Sequence, residues 1–316
     1  MSVPLDFRSS ALSIAQEKGY AALLPVLEKE LLHYEILAAM DEARLLDNLV
    51  FQGGTSLRLC YGSERFSEDL DFAGGAEFDG TGMSNIKEVL EKAIAQRYDV
   101  DVIVIEPKLR KLEQKVQARL SSQDNAQQLL HGDERGSVSV DCWQIQVITQ
   151  KKRPDIPKQI IKLKIAAIPA YTRTVRALIS NYEVLPYGYS NILIPVEEPE
   201  EIAADKLLAL SVSLYTRYRD IWDLRWLAVR PRFKKERLGS LVKRKLEDHQ
   251  IASDYQKVVE AFLPTLPDLI NDGAFLGLMR RFLPAETVRQ TLERESFRQH
   301  TIDALIELYL CCLESM

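Results

Sequence analysis

The chain has 316 residues, of which 46% are hydrophobic and 28% charged, with 14 Gly and 13 Pro; this excludes disordered, collagen-like and fibrous classes and leaves room for two domains. A formal net charge of −5 excludes a protein that coats nucleic acid by bulk charge, while a local basic stripe stays open. No run approaches the roughly 18–20 apolar residues that span a bilayer, and Met1 to Gln16 has no continuous apolar segment, so a cytoplasmic protein making no membrane contact is expected.

From Leu23 to Leu46, Leu24, Leu27, Leu31, Leu32, Ile36, Leu37 and Met40 recur at helical spacing between Glu and Lys residues, which predicts an amphipathic helix. Asn48 to Gln52 reads as a short strand broken by a Gly53-Gly54 turn, Ser56 to Tyr61 as a short helix, and the residues around Asp69 to Phe72 as a second strand. Asn85 to Tyr98 is helical in pattern, and Val100 to Ile105 is a Val- and Ile-rich strand. Leu109 to Leu130, polar and Gln-rich, is a helix or a long excursion. Ser137 to Thr149 is extended, but its apolar parity changes between Val140 and Trp143, which predicts a bulge or two short strands. Ile160 to Ile165 makes one more strand. Pro186, Pro195 and Pro199 then punctuate a change to helical pattern: Glu200 to Leu214, Asp220 to Val229, Lys234 to Glu247, Asp254 to Phe262 and Ser296 to Leu313. The division expected is an α/β unit over 1–195 and a helical unit over 196–316.

The segment from Phe51 to Phe72 carries the chemistry. Gly53-Gly54 lets backbone approach a ligand, and Thr55-Ser56 adds hydroxyls and free amides at a helix start, where N–H groups attract phosphate. Asp69 and Asp71, two apart on a strand, share a face. Two such carboxylates repel unless a cation lies between them, and magnesium, held by carboxylates and nucleotide phosphates, meets that need. Taken singly, Gly-Gly is a turn and Asp-x-Asp a solvated strand edge; together they point to phosphate transfer.

Gly-Gly-Thr-Ser-Leu-Arg with Tyr-Gly, then Arg-Phe-Ser-Glu-Asp-Leu-Asp-Phe, resembles the AbiEii/AbiGii toxins, a branch of the DNA polymerase β-like nucleotidyltransferase superfamily. The lysine-bearing stretch Glu200 to Leu210 and Arg219-Asp220-Ile-Trp-Asp223-Leu224 are similar to the family's later motifs and follow in the same order. The resemblance implies an α/β fold, a polymerase-β-like core with a mixed sheet, followed by a helical carboxy-terminal domain. It also implies that Gly53, Gly54, Thr55 and Ser56 bind a nucleoside triphosphate and that Asp69 and Asp71 hold Mg2+. Lys206 would neutralise triphosphate charge, and Asp220 would serve as a base or an orienting group. The alternative for Asp220 and Asp223 is structural: an Arg219–Asp223 pair at i, i+4 with Trp222 in the core. Superfamily members usually add a third carboxylate from a later strand. Here Lys162-Leu163-Lys164-Ile165 offers lysines in that region, and Asp141 is a substitute.

The implied function is a magnesium-dependent nucleotidyltransferase toxin of a toxin–antitoxin system. It would move a nucleoside monophosphate onto tRNA and inhibit growth, opposite a separately encoded antitoxin. A second reading changes the acceptor to a protein or small molecule, and a third is a nucleotide-binding regulator without transfer. Arg58 and Arg65 could meet phosphate or pair with Glu64, Glu68 or Asp69. The run Arg230 to Lys245, with Lys151-Lys152-Arg153, is an RNA surface or a solvated helix face. His131 reads as a loop residue. Cys60, Cys142, Cys311 and Cys312 lack metal-binding spacing and are read as reduced thiols, with Cys311-Cys312, Trp143, Trp222 and Trp226 in apolar packing.

Overall fold

Seven strands form one mixed sheet in a computed structural model that describes residues 6–98, 100–107, 138–151, 153, 155–183, 189–213, 215–251 and 254–316. The stretch Leu109 to Leu130, His131, Lys152 and Pro186 lie outside those residues. The strands are β1 (Val50–Gln52), β2 (Leu70–Ala73), β3 (Asp101–Ile105), β4 (Val140–Ile148), β5 (Gln159–Ala166), β6 (Thr174–Ala177) and β7 (Leu193–Val196), in the spatial order β3-β4-β5-β2-β1-β7-β6. The Asp-x-Asp strand β2 is therefore central, antiparallel to β1 and parallel to β5.

Register decides which residues share a face. Phe51, Phe72 and Ile165 align across β1, β2 and β5 and are fully buried, whereas Gln52, Asp71, Lys164 and Cys142 align across β1, β2, β5 and β4 on the other face. β4 pairs without interruption from Val140 opposite Ala166 to Val147 opposite Gln159, so the expected bulge is absent. Its parity change has another origin. Trp143, Ile145 and Val147 enter the main core, while Val140 lies opposite Ala166 on the face that holds a second small cluster of Val50, Ala73, Ala166 and Ile168.

The helix α1 (Phe7–Lys18), not foreseen from sequence, starts where the Asp6 carboxylate accepts from the amides of Arg8 and Ser9 and ends at left-handed Gly19. α2 (Leu24–Glu42) packs on α1, on α4 (Ile86–Tyr98) and on β5. It is not the amphipathic helix expected: Glu28, Glu30, His33 and Glu35 are buried along with its apolar residues. Each finds a partner, respectively Arg8, Arg58, the Glu68 carbonyl and Arg97 with Tyr98. Gly53-Gly54 is not a separate turn either but the first turn of α3 (Gly53–Tyr61).

After β7 the described chain is helical: α5 (Pro199–Val212), α6 (Tyr218–Ala228), α7 (Leu238–Asp248), α8 (Tyr255–Phe262), α9 (Leu266–Asn271), α10 (Gly273–Met279), α11 (Ala285–Gln290) and α12 (Glu295–Glu314). The three short helices α9 to α11 were not legible, because none is long enough to show two turns of periodicity. Residue 195 falls inside β7, and one apolar core continues from Phe51 and Phe72 through Leu207 and Leu224 to Tyr309.

Where β7 gives way to α5, Glu197, Glu201 and Asp205 converge on the fully buried Lys245 of α7, at 3.4, 2.8 and 3.2 Å. Glu201 also accepts from the Tyr171 and Thr172 amides, but Glu197 Oε2 has no hydrogen-bond partner among the described residues. Burial, with the nearby Asp205 charge adding to it and Lys245 opposing, pushes the Glu197 carboxyl well above the usual carboxylate range. A carboxyl whose folded pKa is raised costs stability as pH climbs from about 4.5, where the unfolded chain ionises, through the folded value. Glu197→Gln, which mimics the neutral acid, is expected to melt with wild type near pH 5 and about 2–4 °C higher at pH 8. Thermal unfolding across that range checks it, and a pH-independent difference between the two proteins would contradict the assignment.

Candidate active site

The site forms where the carboxyl end of β1 runs into α3 beside β2. Gly53 has φ of 77°, so its conformation favours glycine, and the space is tight as well: a Cβ there would lie 3.1 Å from Asp71 Oδ2. The Thr55 hydroxyl donates to the Asp69 carbonyl, which ties α3 to the start of β2, and the Ser56 hydroxyl donates to the Gly53 carbonyl at 2.8 Å. Both side chains are buried and turned inward. What this turn offers an anion is accordingly the main-chain N–H groups of the first helical turn, which have no intrahelical acceptor, rather than the two hydroxyls.

Asp71 on β2 and Asp69 just before it are partly exposed, and the ammonium of Lys164 lies between them, 2.7 Å from Asp69 Oδ2 and 3.5 Å from Asp71 Oδ1. Burial and the Asp69 charge push the Asp71 carboxyl up, against the pull of Lys164 and Lys206. Lys164 is the residue of β5 that faces Asp71 in register, the position where a third carboxylate was sought. Asp141 does not replace it: it aligns with Ile165 and so belongs to the opposite face of the sheet.

Beside the aspartates lies a network that joins the two halves of the chain. Arg65, on the loop entering β2, grips Asp223 of α6 with two bonds, Nε to Oδ1 at 2.7 Å and Nη2 to Oδ2 at 2.6 Å, and gives a third to the Phe66 carbonyl. Lys206 of α5 bridges Asp223 at 2.8 Å and Asp220 at 2.6 Å, and Arg217 holds the other Asp220 oxygen at 2.5 Å. Burial opposes charge on each of these groups. For Asp220 the attraction of Lys206 and Arg217 outweighs it and holds the carboxyl far below its usual range; Arg65 and Lys206 also shift the Asp223 carboxyl down. Lys206 is likewise held above its ordinary value by Asp220 and Asp223 against its burial. Lys206 and Arg217 both act electrostatically on Asp71, so the structure brings the early and late motifs to one place.

The remaining sequence expectations sort themselves by contact. The Arg219–Asp223 pair is not formed: Arg219 reaches Glu68 at 3.5 Å and lies over the Phe282 ring, while Trp222 is buried as expected. Arg65 pairs with Asp223 rather than Glu64, Glu68 or Asp69. Arg58 is bound to Glu30 at 2.8 Å and stacked on Phe66, so neither arginine is left for phosphate. In the basic run, Lys245 is internal, Lys235 and Arg237 pair with Glu307 and Glu198, and Arg230 and Arg244 lie over Trp226 and Tyr171. Lys151 and Arg153 pair with Asp101 and Asp155. Sequence reasoning missed Lys164, Arg217 and Gln52 as members of the site. For Lys164 the signal was present, in its parity with Asp71 once the strand register is known.

Among the described residues no group of three or more His, Cys, Asp and Glu is placed to hold a metal ion. The donors that are present nevertheless suit a hard divalent cation: two carboxylates already gathered about a positive charge, and Gln52 Oε1, next to Asp71 in register, buried without a hydrogen-bond partner.

Gly54 tests how rigid the network is. A Cβ there would meet Arg65 Nη2 at 2.2 Å, and that nitrogen cannot swing away because Asp223 holds it. Gly54→Ala is expected to cost about 1–3 kcal/mol by overpacking. In an Arg65→Met background the same change should cost less than about half of that, the coupling expected of neighbours in contact. Urea denaturation of the four proteins reads the cycle, and additive costs would overturn the account.

The model of the family described as nucleotidyl transferase AbiEii toxin, type IV toxin–antitoxin system, matches residues 35–305. Curated proteins gave no sequence match. Among solved structures, the MenT4 nucleotidyltransferase toxin of Mycobacterium tuberculosis H37Rv superposes with a TM-score of 0.57 at 17% identity, covering 96% of this chain and 89% of that one. JHP933 of Helicobacter pylori gives 0.46 at 19% identity over 92% and 93%, and a putative nucleotidyltransferase of H. pylori 0.42 at 20% over 90% and 95%. The MenT4 likeness bears out the α/β fold with its mixed sheet and helical carboxy-terminal region. No helix of the described residues is long and apolar enough to cross a membrane. Matched over most of its length, the chain belongs to the AbiEii family of nucleotidyltransferase toxins of type IV toxin–antitoxin systems, whose partner is a separate antitoxin.

Proposed function

We propose that the protein transfers a nucleoside monophosphate from a nucleoside triphosphate to a hydroxyl of tRNA, with Mg2+ held by Asp69 and Asp71. The acceptor hydroxyl gives its proton to solvent and its oxygen forms a bond to the α-phosphorus as the bond to pyrophosphate breaks. The observation that carries the reading is the convergence of an aspartate pair, a helix start and a buried cation network on one point of the sheet. When bound, the metal ion would stabilise charge on the reacting phosphate oxygens. The first-turn amides of α3 would bind phosphate, and Lys206 would set a fixed positive charge beside them.

Asp220 is an orienting group in this reading rather than a base. Both its oxygens already hold cations, and its carboxyl is kept far below the range in which it would accept a proton. RNA as acceptor is supported by Arg176 and Arg230, laid over Tyr61 and Trp226 at 4.5 and 4.1 Å. Burial and the charge of Arg176 together push the Arg230 pKa down, a repulsion that a phosphate would relieve.

Incubation with Mg2+, total tRNA and each of four α-labelled nucleoside triphosphates tests the reading. Label is expected in RNA with one or more nucleotides, reduced at least about 100-fold by Asp71→Ala. Label on protein would move the acceptor to a polypeptide. Equal labelling by Asp71→Ala would remove Asp71 from the chemistry.

A further inference from the structure

The face of the sheet that carries Asp69 and Asp71 holds no further acid on the neighbouring strands. Opposite and beside the pair stand Lys162 and Lys164 on β5, then Cys142 and Gln144 on β4. One of these, Lys164, places its ammonium within ion-pair distance of both aspartates. The centre of the pair is thus occupied by a charge covalently attached to the protein.

We propose that Lys164 is the resident counter-cation of the aspartate pair, that it keeps a divalent ion out of the nucleotide-free site, and that it is displaced only when the ion arrives with a triphosphate. The proposal rests on the transfer reading above, in which Asp69 and Asp71 hold the metal. A divalent ion coordinated by both carboxylates would lie within a few ångströms of Nζ, and at that separation like charges repel strongly in a partly buried site. A triphosphate changes the balance by supplying oxygen ligands to the ion and an anion to which the released ammonium can turn.

Mobility is distributed to match. The Lys164 side chain is 35% exposed and, among the described residues, held by the two aspartates alone, whereas Lys206 is 9% exposed and fixed between Asp220 and Asp223. Of the two lysines near Asp71, Lys164 is the one free to leave. Lys206 stays as a permanent charge.

The test is Mn2+ binding to nucleotide-free protein, followed by electron paramagnetic resonance and independent of turnover. Removing the ammonium by Lys164→Met should tighten Mn2+ binding about tenfold, Lys164→Arg should resemble wild type, and adding Asp71→Asn to Lys164→Met should abolish the gain. Lys164→Gln is the second variant should the methionine protein melt below wild type. If the neutral variants bind Mn2+ no tighter than wild type while Asp71→Asn still weakens binding, Lys164 is not the gate and the metal role of Asp71 stands. If Asp71→Asn changes Mn2+ binding in no background, the aspartate pair is not the metal site, and the proposal falls with that assignment. Inorganic tripolyphosphate gives a second readout. Its binding, measured by calorimetry, should be strengthened more by Mn2+ in wild type than in Lys164→Met, and equal strengthening in the two proteins would also overturn the proposal.

Discussion

The two-pronged grip of Arg65 on Asp223 ties together the two stretches of chain that carry the charges of the site. It joins the loop entering β2 to α6 across 158 residues of sequence, and both partners are almost wholly removed from water. Two isolated ions would pay several kcal/mol each for that burial, so the pair persists only because its geometry is fixed and the remaining hydrogen-bond capacity is used. Arg65 uses its third nitrogen on the Phe66 carbonyl, and Asp223 shares Oδ2 with Lys206. Once the guanidinium is pinned it presses on Gly54, which must lack a side chain, and the start of α3 is thereby set against β2. A buried ion pair of this sort contributes placement more than net stability.

Much of this was legible in the order of residues, and the parts that were not have physical reasons. The Asp-x-Asp strand, the short helix after Gly53-Gly54 and the helices bearing Lys206 and Asp220 were all read from local pattern, since each depends on neighbours two to four positions away, whereas the two glycines proved to be the first turn of that helix rather than a turn before it. The partner of Arg65 could not be read, because Glu64, Glu68, Asp69 and Asp223 are equivalent until the fold chooses one. β6 and β7 escaped notice as four-residue strands, one of them containing Pro195. In α2 the alternation of Glu with Leu suggested a wet face, yet Arg8, Arg58 and Arg97 come from other elements to pair with those acids. Periodicity reports polarity, and burial of polar groups is a tertiary property.

α5 carries two ionic networks on its flanks. Glu201 and Asp205, one turn apart, face Lys245, and Lys206 faces Asp220 and Asp223. The helix has almost no exposed side chain, so its register against α6 and α7 is specified by charge pairing where an all-leucine surface would leave alternatives. The Lys245 side is overcharged by carboxylates, and the strain of that excess sits beside Glu197, whose carbonyl accepts from Tyr61 at the end of α3. The same short connection therefore stores unfavourable charge and fixes the far end of the helix whose near end lines the site.

At the candidate site the signs are balanced: Asp69, Asp71, Asp220 and Asp223 against Arg65, Lys164, Lys206 and Arg217. Such a site is inexpensive to bury, because each charge has a partner within ion-pair distance. It also attracts an anion less than four free cations would, since each is engaged by a carboxylate that offsets part of its field. Binding a triphosphate then requires one cation to change partners. Lys206, which bridges two buried carboxylates, and Arg65, in its bidentate grip, cannot do so without leaving an acid buried and unpaired, a cost of several kcal/mol, whereas Arg217, half exposed on an Asp220 that also keeps Lys206, can. Lys164, on the open face of β5, can exchange aspartate for phosphate without that cost, provided another positive charge takes its place between Asp69 and Asp71. In the proposed reading, metal and nucleotide occupancy are thereby linked through Lys164, and the position on β5 at which a third carboxylate was expected would acquire a different function from a change of sign.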